Sequence, residues 1–114
     1  MQSGNRGFGH LASTIFVITS NLSHFQNFTE RNEPPLNAGM FSMTFLYALH
    51  LKGIAACALN WSVSIERDKK LRKLISIPDN EMIHLIISSG YPPENFKVAA
   101  SPRKDVKDVL TILK

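Results

Sequence analysis

Hydrophobic and polar positions alternate in blocks that predict three strands and two helices. Residues 12–19 (ASTIFVIT) are rich in β-branched side chains and predict a strand. Residues 21–26 turn, and the polar stretch TERNEPP at 29–35 leads through two prolines into the next element. From Ala38 to Leu51 the chain is apolar on nearly every side, with only Ser42, Thr44 and His50 to offer a polar face. A surface helix shows one apolar stripe, so this helix is expected to be covered from two directions, by its own domain and by a second subunit. Asn37 is placed to cap it, Lys52 suits the negative end of its dipole, and Gly53 suits the left-handed position that stops it. Residues 54–59 form a short apolar run that fits a covered strand and ends on Asn60 and Trp61.

A second helix is predicted after Trp61, capped by Ser62 or Ser64, with Glu66 and Asp68 in its first turn. Leu71, Leu74 and Ile75 give it an apolar side, while Arg67, Lys69, Lys70, Arg72 and Lys73 cover much of the rest. Pro78-Asp79-Asn80 reads as a turn. Residues 82–87 (MIHLII) are apolar enough for a central strand, which Gly90-Tyr91-Pro92-Pro93 ends. The remainder is a glycine-rich lead-in at 1–11 and an extended, basic tail at 94–114, where Asp105 to Leu113 has room for one short helix or strand. The order strand, helix, strand, helix, strand indicates a single α+β or α/β sheet domain.

A length of 114 residues supports one modest core, and 44% hydrophobic with 19% charged residues excludes global disorder. The apolar segment 38–59 is long enough to span a bilayer. Its interior His50, Lys52 and Gly53 argue against insertion, since a central Lys costs about 2.5–3.5 kcal/mol. The 1–10 region lacks the apolar core of a signal peptide, and Cys57, the single cysteine, reads as a buried thiol in a reducing cytoplasm. The net charge of +4 permits phosphate-bearing partners. The basic residues at 67–73 lack interleaved aromatics, so a solvated helix face accounts for them better than a nucleic-acid surface.

Candidate chemistry is sparse. His10, His24, His50 and His84 have no metal-ligand spacing, and no nucleophile–base pair can be nominated. Any redox or transfer chemistry would therefore come from a bound cofactor. Arg103, between Pro102 and Lys104, carries a planar fork suited to a phosphate, and Asn60 stands at a strand end, where sheets commonly present ligands.

Three segments, GHLASTIFVITSNLSHF, ERNEPPLNAGMFSMTFLYALHLKGIAACALNWSV and RKLISIPDNEMIHLIISSGYPPENFKVAASPRKDV, together resemble the nitroreductase family in order and spacing. The resemblance implies an α+β sandwich on a mixed sheet, with the helix from Leu36 to Leu51 as the buried centre of a homodimer. It implies an FMN-dependent oxidoreductase that takes a hydride from NADH or NADPH and reduces a nitroaromatic, quinone or similar acceptor. Ala58, Leu59, Asn60 and Trp61 match the segment that passes the flavin ring through backbone groups. Arg103 matches a basic residue that meets the FMN phosphate, with Lys104 as a second. The Arg-Arg-Ser-like phosphate motif of the family's N-terminal region has no counterpart, so the chain reads as a C-terminal portion with an incomplete FMN site. The rival expectations are a non-catalytic dimeric relative without cofactor and a small basic nucleic-acid-binding domain.

Overall fold

The computed structural model describes Gly4 and residues 6–113. Three strands form one antiparallel sheet: β1 (Thr14–Asn21), β2 (Ala55–Asn60) and β3 (Glu81–Gly90), in the order β1-β3-β2. The expected central strand is thus central, flanked on both sides. The sheet is antiparallel throughout, rather than the mixed sheet that the resemblance implies. Register runs Phe16 to Ile87 to Ala58 and Val17 to Ile86 to Leu59 across the three strands. Between Ile18 and Thr19 the pairing slips from Leu85 to Ile83, which places the extra residue, His84, in β3 and leaves β1 itself regular.

Two helices cover the sheet. α1 (Glu33–Leu51) lies on the face built by Ile18 and Ile87, where Ala38 and Leu49 join them and Phe16, Phe45, Leu46 and Leu85 pack around. Ser42 is buried at this contact, and its hydroxyl donates to the Ala38 carbonyl at 2.6 Å, so no polar atom is stranded there. α2 (Ile65–Ile75) serves the opposite face through Leu71, which joins Trp61, Ile83 and Ile86 in a second cluster edged by Val17, Val63 and Ile77. Both clusters meet at β3, and Ile87 is fully buried.

Several expectations need correction. α1 starts at Glu33, before Asn37, and takes Pro34 and Pro35 into its first turn, where proline's fixed φ and missing N–H cost nothing. Asn37 therefore lies inside the helix and does not cap it. Within the single chain α1 is covered from one direction only: it packs on one sheet face and leaves Leu36, Met40, Phe41, Met43, Tyr47 and Leu51 exposed. Cys57 is exposed as well, because β2 is an outer strand and Cys57 stands opposite Ser88, beyond the cluster that α2 completes. Ser64 flanks α2 without capping its backbone. The short element expected between Asp105 and Leu113 is present among the described residues as a 3-10 turn, Val106–Asp108. Of the glycine-rich lead-in, residues 1–3 and 5 lie outside the described residues, as does residue 114 of the tail.

Helix ends behave as their residues dictate. Gly53 takes φ 71°, its N–H donates to the His50 carbonyl at 2.9 Å, and the Ile54 N–H reaches back to Leu49 at 3.0 Å. The end of α2 makes the same left-handed turn with a serine, Ser76 at φ 55°, and the Ile77 N–H closes on Arg72 at 3.0 Å. No described helix is long and apolar enough to cross a membrane.

Candidate functional site

The residues nominated for the flavin ring occupy the end of β2 and the turn after it. Alternation along the strand splits them. Ala58 and Asn60 are exposed, whereas Leu59 and Trp61 turn into the opposite face and are each buried to 8% exposure. Asn60 lies across from Leu85, and its side-chain oxygen accepts from the Ser62 N–H at 3.5 Å. β2 pairs only with β3 among the described strands, so its other edge faces outward.

Trp61 donates two hydrogen bonds that hold it in place. Its N–H donates to the His84 carbonyl at 3.3 Å, and its indole Nε1 donates to Asp68 Oδ1 at 2.8 Å. The other Asp68 oxygen accepts from Arg72 Nε at 2.6 Å, and Arg72 Nη1 continues to the Pro78 carbonyl at 2.9 Å. This chain of bonds joins the end of β2, one turn of α2 and the turn before β3. The hydrogen bond from Arg72 holds the Asp68 carboxyl below its ordinary value; partial burial opposes that shift, and the indole bond adds to it. At the start of α2, the Ser64 hydroxyl likewise lowers Glu66. The indole and the acid are thus committed to structure.

Arg103 and Lys104 lie in the exposed tail. Arg103 Nη1 donates to the hydroxyl of Ser101 at 2.6 Å and, at 3.4 Å, to its carbonyl. These bonds of Arg103 stay within the tail.

The clearest concavities lie elsewhere. A groove of 640 Å³ runs beside β1, from Ile15 to Ser20, and is walled by Asn37, Ala38, Phe41 and Phe45 of α1. A second, of 310 Å³, lies at the far end of β2 and β3, among Phe8, Leu11, Cys57, Ser88 and Tyr91. Neither contains a nominated residue. Among the described residues no cluster of His, Cys, Asp and Glu could hold a metal ion.

No family model and no curated protein matches the chain. The site must therefore be judged on its own residues. Tested against FMN, they fit in part: Ala58 and Asn60 present an open strand end, and Arg103 and Lys104 present exposed cations for a phosphate. The side chains of Leu59 and Trp61 lie in the core, which leaves their backbone groups for contact with the ring.

One pair escaped the sequence reading. His84 Nε2 stands 2.9 Å from Ser20 Oγ, and the Ser20 hydroxyl donates to the Pro34 carbonyl at 3.2 Å. A Ser20 hydroxyl turned to Pro34 accepts from the Nε2–H tautomer of His84, and one turned to His84 donates to the other tautomer. Burial lowers the His84 pKa. The two residues are 64 positions apart, and no local signal in the sequence joins them.

Proposed function

We propose that the chain is a nitroreductase-like, FMN-dependent oxidoreductase unit that acts as a homodimer in the cytoplasm. The observation that carries the reading is the end of β2: Ala58 and Asn60 lie exposed on an outer strand, whereas Leu59 and Trp61 anchor that strand from behind. Such a strand end can meet a flat ring through backbone groups while its shape is held by the core. Ala58 and Asn60 would lie against the ring, and Arg103, with Lys104, would neutralise the phosphate by charge-assisted hydrogen bonds. The chemistry supplied by bound FMN is acceptance of a hydride from NADH or NADPH and its delivery to a nitroaromatic, quinone or similar acceptor.

The dimer in this reading uses the outer face of α1. Leu36, Met40, Met43 and Tyr47 follow one another at spacings of four, three and four, which lines them along one side of the helix, away from Ala38, Ser42 and Leu49. Between them they leave large apolar side chains half or more in solvent, as expected of a surface that meets a second copy.

The test is an absorbance spectrum of the purified protein, followed by FMN titration and an assay with NADH and a quinone. Flavin bands between the near-ultraviolet and the blue, with weaker FMN binding in Arg103→Glu, support the reading. A flat spectrum, with no change in flavin fluorescence, overturns it. That outcome favours the second reading, a dimeric scaffold without cofactor, whose supporting observation is that Arg103 spends its hydrogen bonds on Ser101 within the tail.

A further inference from the structure

We infer that β1 pairs edge to edge with β1 of a second copy, extending the sheet across a two-fold axis. β1 is eight residues long and outermost, and its sequence TIFVITSN has no charge, proline or glycine. Sheet edges are ordinarily guarded by Lys, Pro, bulges or short length. β1 has none of these, since the extra residue at the register slip belongs to β3. The groove of 640 Å³ beside it adds an apolar wall on the α1 side, where Phe16 meets Phe45 edge-on at 4.9 Å and Phe41 stacks on Phe45 at 5.9 Å.

The occupant is a second copy because the edge complements itself. In antiparallel pairing centred on Val17, each Val17 faces its counterpart, Phe16 falls opposite Ile18 and Ile15 opposite Thr19 of the other strand, so opposed residues share a sheet face and no charges meet. One operator serves both halves, as an isologous contact requires. Ile15 and Phe41, both more than half exposed, border this edge. With the strand edge and the groove wall, each copy would bury on the order of 600 Å², at the lower end for a specific dimer. This contact is distinct from the outer stripe of α1 and needs no cofactor. The two assemblies can therefore fail separately.

Hydrogen exchange and light scattering over a concentration series test the inference. The outward-facing amides of 14–21, those not bonded to β3, should become protected as concentration rises, while those of 55–60, on the other edge, should not. Ile15→Lys, which places a charge at an exposed edge position, should weaken the association tenfold or more and remove that protection. Thr14→Lys gives an independent second variant. Tyr47→Lys, on the outer face of α1, should leave the β1 protection intact. Exchange at 14–21 that ignores concentration overturns the inference, whether fast from an open edge or slow because the chain's own tail covers it. So does an assembly unchanged by either β1 variant, or protection lost in Tyr47→Lys.

Discussion

Removing the carboxylate of Asp68 should cost more than its position on a surface helix suggests. An i,i+4 pair with Arg72 is by itself worth about 0.3–0.5 kcal/mol. The larger consequence falls on Trp61, whose indole is buried and donates only to Asp68 among the described groups. Leaving a buried donor unpaired costs about 1–3 kcal/mol. Asp68→Ala should therefore lose about 2–3 kcal/mol in urea unfolding followed by far-ultraviolet circular dichroism. Asp68→Asn keeps an acceptor for the indole and should lose about 1 kcal/mol. Trp61→Phe combined with Asp68→Ala should cost less than the two single changes added together, because one interaction is counted in both. The pH dependence has a definite sign. The folded Asp68 pKa lies below the ordinary 3.8, so the folded state binds fewer protons than the unfolded state. The stabilisation is present above the unfolded value and is lost as pH falls through the folded one. Asp68→Asn should flatten that part of the acid limb. Equal losses for the Ala and Asn variants, or strict additivity with Trp61→Phe, would refute the assignment of the bond to the core.

Two further outcomes follow from local geometry. Ser76 holds a left-handed conformation that costs a non-glycine residue about 1 kcal/mol, so Ser76→Gly should raise the denaturation midpoint by an amount equivalent to several tenths of a kcal/mol; a fall would show that the Ser76 side chain contributes more than its backbone costs. His84 has a folded pKa below the ordinary 6.5, so its contribution to stability is complete above that value and declines as pH falls through the folded one. Histidine proton shifts should show His84 titrating below the ordinary 6.5. A higher value for His84 would contradict burial as the cause.

The legible parts of the fold were those governed by local chemistry. β-branched residues marked β1, Gly53 marked the stop of α1, and the uninterrupted MIHLII run marked a strand with a neighbour on each side. The errors arose where a local rule met its tertiary context. Asn37 is a good cap by type, but two prolines upstream suit the first turn of the helix and move its start to Glu33. An apolar run around Cys57 looked covered, yet an outer strand made of alanines beside a cysteine has little bulk to attract a second layer. Among site residues, alternation alone would have separated Ala58 and Asn60 from Leu59 and Trp61, since successive strand residues face opposite ways. The partnership of His84 with Ser20 depended on a register slip that no local pattern announces.

The apolar character of α1 has two separate causes, and the sequence merged them. Ala38, Ser42, Phe45, Leu46 and Leu49 are apolar or small because they lie on the sheet, and Ala38 and Ser42 are small where helix and sheet approach closely. Leu36, Met40, Met43 and Tyr47 have no such contact, and a solvated helix gains nothing from them. A composition that is apolar all round therefore does not describe a buried helix here. It describes one face that folds the chain and another, left exposed, that the proposed dimer would cover. The same reasoning applies to β1, whose inner edge is paired and whose outer edge carries the same uncharged sequence. Both surfaces border the α1 layer. The chemistry proposed for the end of β2 can thus be tested with the assembly intact, while changes at Ile15 or Tyr47 probe the assembly without touching Ala58, Asn60 or Arg103.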